Sequence, residues 1–163
     1  MKSEIWQSIF KTFSGRREGI GDNGETSAGV NRIFGNISSA KETILLVDDE
    51  DVVRGVARQI LEASGYTVFE AKNGSDALAI CEHSGDRIEL LLTDVIMPVM
   101  GGRLLAEKIA TRFPAICILF MSGYTDDAPL RQGEAKKTIN FIRKPFTPEA
   151  LELKVKEILE NRS

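Results

Sequence analysis

The chain has 163 residues, of which 42% are hydrophobic and 28% charged, and its formal net charge is −3. These values suit one globular domain with an extension, and the slight acidity excludes a general electrostatic attraction to nucleic acid. No apolar run approaches the roughly 18 residues of a membrane-spanning helix. The leading "MKSEIWQSIFKTFSG" is polar and acidic where a secretory signal is apolar, so a cytoplasmic protein without membrane contact is expected.

At the amino terminus, Trp6, Phe10 and Phe13 fall at i, i+4 and i+7 with Ile5 and Ile9 beside them, which predicts a short amphipathic helix. So short a helix needs a surface to pack on, either its own domain or a second copy or partner. Six of the 14 glycines lie in the first 42 residues, in stretches such as "GRREGIGDNGETSAG", and this region reads as a flexible linker. Cys81 and Cys117 form no framework and read as small buried apolar residues in a reducing compartment.

From residue 43 the pattern alternates. "TILLV" (43–47) predicts a strand, and Val52, Val53, Val56, Ile60 and Leu61 then follow at helical spacing up to Gly65. "YTVFEA" (66–71) is a second strand, followed by a helix near 75–83 opened by "NGS". "IELLLTD" (88–94) is a third strand, and Leu104, Leu105 and Ile109 mark a helix at 102–112. "AICILFM" (115–121) and "TINFIR" (138–143) are the fourth and fifth strands. A last helix begins with Thr147 as N-cap and Pro148 at its first position, and its face is Leu151, Val155, Ile158 and Leu159. The segment between strands four and five contains Pro129 and Gly133 without an apolar stripe, so any helix there is short or irregular.

Short apolar strands alternating with amphipathic helices indicate a parallel sheet covered on both faces. Five such units predict a flavodoxin-like doubly wound α/β fold, strand order 2-1-3-4-5, with its site at the carboxyl ends of the strands. The expected organisation is an extension over 1–42 and a domain over 43–163.

That topology gathers the polar residues. Asp48 and Asp49 follow the first strand, Asp94 ends the third, Ser122 follows the fourth, and Lys144 follows the fifth. An Asp-initiated turn would account for Asp94 alone. It does not account for three carboxylates, a hydroxyl and an ammonium on four adjacent strand ends. Clustered carboxylates repel unless a cation joins them, and Mg²⁺ takes such ligands together with phosphate oxygens. Asp94, at the centre, has the place of a carboxylate nucleophile that forms an aspartyl phosphate. Mg²⁺, Lys144 and the Ser122 hydroxyl would share in neutralising the transferred group. Gly101 and Gly102 let the backbone turn closely around the site.

"ILLVDDED", "LLLTDVIMPVMGG", "FMSGY" and "FIRKPF" resemble, in order and spacing, the four signature segments of the response-regulator receiver domain. The resemblance covers about residues 43–161 and is nearest to receivers of hybrid sensor histidine kinases. It implies that Asp94 is the phosphoacceptor. Asp48, Asp49 and Asp94, with the backbone carbonyl of Ile96, would hold Mg²⁺. Lys144 would bind the phosphoryl group next to a cis Lys144–Pro145 peptide, and Ser122 and Phe141 would be the switch hydroxyl and switch aromatic. It also places Ile96 and Tyr124 beside the path of an attacking water. Neither can orient a water and both can exclude one, so a long-lived phosphoryl group is expected.

The resemblance implies a two-component phosphorelay protein that is not an enzyme beyond its own phosphorylation and dephosphorylation, and that signals through protein contacts. His83, the only histidine, is expected on a helix surface away from the rim, so the phosphoryl group should come from a histidine kinase or histidine phosphotransfer protein. A dimer through the amino-terminal helix or the face of strands 4 and 5 is open. A degenerate receiver that only binds a partner is the alternative. An aspartate-nucleophile phosphatase expects a second Asp at 96, where Ile96 stands. No DNA-binding or catalytic domain is expected after residue 163, and either a stand-alone receiver or a piece of a larger signalling protein is expected.

Overall fold

The computed structural model describes residues 42–123 and 139–162. The expected amino-terminal helix and linker, Tyr124 and the irregular segment between strands four and five lie outside them.

Five strands, β1 (Thr43–Val47), β2 (Thr67–Ala71), β3 (Ile88–Asp94), β4 (Cys117–Ser122) and β5 (Asn140–Arg143), form one sheet in the order β2-β1-β3-β4-β5. Every pairing is parallel. The described helices are α1 (Asp51–Ala63), α2 (Gly74–Ser84), α3 (Gly102–Arg112) and α4 (Pro148–Glu160). This is the doubly wound α/β architecture that the alternating pattern predicts.

The alternation of side chains along each strand divides the core. Ile44 and Leu46 of β1, with Leu90, Leu92, Leu119 and Met121, pack under α1 and α4 through Val53, Ile60, Leu151 and Val155. Leu45, Val47 and Leu91 point to the opposite face, where Ala77 and Cys81 of α2 and Leu105 and Ile109 of α3 cover them. A strand buried on both faces must be apolar at successive positions, which is why "TILLV" shows no polar alternation. The edge strands β2 and β5 are covered less completely.

Some details differ from expectation. Val52 and Leu104 are exposed, because each lies just outside the arc of its helix that meets the sheet. Cys117 is only partly buried, at the first residue of β4, where the sheet is less covered. Ser122 is the last residue of β4 rather than the residue after it. The ends of two helices follow their signals: Gly65, with φ +96°, takes the left-handed conformation that stops α1. At α4 the Thr147 side chain accepts a hydrogen bond from Ala150 N.

Candidate functional site

The register of the sheet brings the ends of β1, β3, β4 and β5 to one rim. Val47 pairs with Thr93, Asp94 with Met121, and Ser122 with Arg143. The residues just beyond these pairs therefore meet. Asp48 lies on the turn after β1, fully buried, and Asp94 closes β3, also buried, while Asp49 is exposed. One carboxylate oxygen from each of Asp48, Asp49 and Asp94 lies within 4.8 Å of the others.

Lys144 completes the cluster. A hydrogen bond from its backbone N to the Ser122 carbonyl, 2.7 Å, ties the end of β5 to the end of β4. Its Nζ lies 2.8 Å from Asp48 Oδ2 and 3.0 Å from Asp94 Oδ2, with the lysine side chain largely buried. The Lys144–Pro145 peptide is cis. Ser122 is fully buried on the neighbouring strand. Phe141, on β5, is 42% exposed, so its ring stands outward.

The electrostatics follow from this crowding. Burial raises the Asp94 carboxyl above the ordinary aspartate value, and Asp48 adds to the shift, while Lys144 opposes it. Asp48 is raised for the same leading reason, again against Lys144. For Lys144, burial alone would lower its value, but the two carboxylates outweigh burial and hold it raised. Three grouped carboxylates, two of them in contact with one ammonium, leave excess negative charge at a partly enclosed rim. A hard divalent cation fits that set, since all three acids offer oxygen and neither sulfur nor imidazole is present in it.

The loop after β3 is held tightly. Gly102 N donates to the Val95 carbonyl at 3.0 Å. A Cβ at Gly102 would overlap the carbonyl oxygen of Asp94. The glycine after the "MPVMG" run is thus required by close approach, as expected. Gly101 is less constrained, its absent Cβ being 3.2 Å from the Val95 carbonyl. Just before them, Val99 has φ +68°, and Met100 N donates to the Pro98 carbonyl at 2.7 Å. A β-branched residue in that region has no sequence signature, because the strain is local and set by the turn. Ile96 is 61% exposed on the same loop.

His83 sits exposed in the last turn of α2, with Nδ1 2.8 Å from the Ala79 carbonyl. Since α2 runs antiparallel to the strands, that turn lies at the end of the sheet away from the rim. Sequence patterning missed Arg54. It occupies α1 and reads as a solvated helix residue, yet its side chain is buried and its Nη1 donates to the Asp48 carbonyl at 2.8 Å. The one available signal was a basic residue on the α1 flank nearest the double-aspartate turn.

Comparison with known proteins agrees with this geometry. Residues 44–156 match the family model described as the response regulator receiver domain. The chain is 40% identical over 124 residues to the sensor kinase CckA of Brucella abortus, covering 76% of this chain and 13% of that protein. The crystal structure of the receiver domain from the hybrid histidine kinase CckA superposes with a TM-score of 0.60 at 36% identity, covering 72% of this chain and 98% of that one. The chemotaxis protein CheY4 of Vibrio cholerae gives a TM-score of 0.65 at 28% identity, covering 72% of this chain and 98% of that one. The curated relatives are mostly longer, and the chain spans 13% of the Brucella kinase and 50% of a Cyanidium caldarium regulator. Among the described residues no helix is long and apolar enough to cross a membrane.

Proposed function

The chain belongs to the response regulator receiver family, and from that premise we propose that it accepts a phosphoryl group on Asp94 from a phosphohistidine and relays the change through protein contacts. The observation that carries the reading is Lys144 Nζ, placed 2.8 Å from Asp48 and 3.0 Å from Asp94, beside three carboxylate oxygens within 4.8 Å of one another. A third acid beside a buried lysine already shared by two carboxylates leaves surplus negative charge, which is costly in a merely structural ion pair.

In this reading an Asp94 oxygen attacks phosphorus. The P–N bond of the donor breaks as the P–O bond forms, and its electron pair stays on the imidazole, which leaves neutral when its other nitrogen carries a proton. Asp48, Asp49, Asp94 and the Ile96 carbonyl would hold Mg²⁺, which would supply positive charge for the phosphoryl oxygens. Lys144 exchanges its contact with the Asp94 carboxylate for a phosphoryl oxygen. Ser122 offers its hydroxyl from the end of β4, and Phe141 turns inward as that strand end shifts. The protein catalyses only its own phosphorylation and dephosphorylation. Its partners are a histidine kinase or histidine phosphotransfer protein and a protein target, and cytoplasmic placement suits them.

Phosphotransfer from a panel of labelled histidine phosphotransfer proteins and kinases tests this. Label should pass from at least one donor to the wild type and not to Asp94→Asn. Equal transfer to both forms would overturn the reading.

A further inference from the structure

We propose that Arg54 is a positioning residue for the carboxylates of the cation site, which it holds in place through the backbone of Asp48. The inference rests on the cation-binding reading above. Arg54 is buried at the start of α1 and makes contacts in three directions. Nη1 donates to the Asp48 carbonyl at 2.8 Å, Nη2 donates to Asp51 Oδ1, and Nε lies 3.3 Å from Glu70 Oε1 on β2. The guanidinium thus joins the turn after β1, the first turn of α1 and the edge strand. Only a planar fork of fixed N–H groups can serve three such acceptors at once.

Asp48 is consequently held at three points. Its carbonyl accepts from Arg54, its Oδ1 accepts from Glu50 N at 2.8 Å, and its Oδ2 accepts from Lys144 Nζ at 2.8 Å. Asp49 is different. Among the described residues no hydrogen bond or ion pair reaches its carboxylate, so the backbone of the turn alone sets its place near Asp48 and Asp94. That backbone is what Arg54 grips. Asp51 and Glu70 neutralise the guanidinium, so it acts by geometry and not by competing as a cation with the metal. Groups that orient metal ligands from behind typically carry a 10- to 100-fold effect on affinity.

The test is calorimetric titration of the full chain with Mg²⁺, comparing wild type with Arg54→Lys, which keeps the charge and loses the fork. The apparent Kd should rise about tenfold or more, while Asp94 labelling by acetyl phosphate returns to the wild-type extent at saturating Mg²⁺. A purely structural arginine would lower the melting temperature and leave the Kd within twofold, which would overturn the inference. Should Arg54→Lys fold poorly, Glu70→Gln, a change at the sheet edge, should weaken Mg²⁺ binding in the same direction by less. An unchanged Kd there is equally contrary. A wild type that binds no Mg²⁺ at all would instead remove the cation-binding reading, and this inference with it.

Discussion

Lys144 Nζ and Asp94 Oδ2 lie 3.0 Å apart, although β4 separates the strands that carry them. The ammonium reaches across the end of an intervening strand to a carboxylate raised above its ordinary value by burial, while a second carboxylate, Asp48, holds the same ammonium. Ionising the two buried carboxylates at this rim therefore costs the folded chain stability, while the Lys144 ammonium is favoured there.

The sign of that cost is testable. The Asp94 carboxyl binds its proton more tightly in the folded than in the unfolded chain, so its ionisation destabilises the fold. The penalty is absent below the ordinary value of 3.8, grows as pH rises toward the raised folded value, and is complete above it. Asp94→Asn should therefore raise the metal-free melting temperature at pH 7, by about 4 °C for each kcal/mol relieved. The advantage should shrink as pH falls toward 4. Melting curves across pH check it, and a lower melting temperature for the Asn form at pH 7 would contradict it.

Added Mg²⁺ should stabilise the wild type, since an ion bound only by the folded state shifts the equilibrium toward it. At a concentration one hundred times the Kd the gain is about 2.7 kcal/mol. Asp49→Ala should lose most of it, because Asp49 supplies the exposed member of the carboxylate trio. Thermal melts with and without millimolar Mg²⁺ measure both, and a wild type indifferent to the ion would speak against the metal site.

Gly102 makes a steric prediction. Because a Cβ there would overlap the Asp94 carbonyl oxygen, Gly102→Ala must push α3 away from the end of β3. A loss of about 3 kcal/mol is expected from such overpacking, with slower labelling of Asp94. Gly101→Ala should be milder. Denaturant titration of the two variants compares them, and equal stability losses would argue against the close approach.

Ile96 bears on the lifetime of the phosphoryl group. Its apolar side chain projects from the loop two residues past Asp94 and cannot orient an attacking water. Ile96→Asn should shorten the phosphoryl half-life severalfold, corresponding to about 1 kcal/mol of barrier. Label decay after donor removal gives the half-life. A longer-lived Asn form would show that bulk at this position does not shield the group.

Much of this was legible in the sequence because the two signals involved are local and periodic. "ILLV" of β1 and "LLL" of β3 are apolar at successive positions, as burial on both faces requires, and that run points to the parallel class of the sheet. Once the order 2-1-3-4-5 is expected, Asp48, Asp94 and Lys144 must share a rim, as they do. What stayed hidden depends on three-dimensional neighbours. Arg54 is buried only because Glu70 and the Asp48 carbonyl come to it from other elements. Val99 adopts positive φ because the turn between Pro98 and Met100 demands it, not because valine prefers it. The exposure of Val52 and Leu104 follows from helix rotation against the sheet, which apolar identity alone does not report.

The central claim is that Asp94 takes the phosphoryl group. The most direct measurement is incubation with acetyl phosphate and Mg²⁺, followed by borohydride reduction of the acyl phosphate and mass-spectrometric mapping of the reduced residue. The account predicts a single reduced site at Asp94, dependent on Mg²⁺ and absent from Asp94→Asn. Reduction at another carboxylate in the wild type, or undiminished labelling of the Asn form, would contradict it.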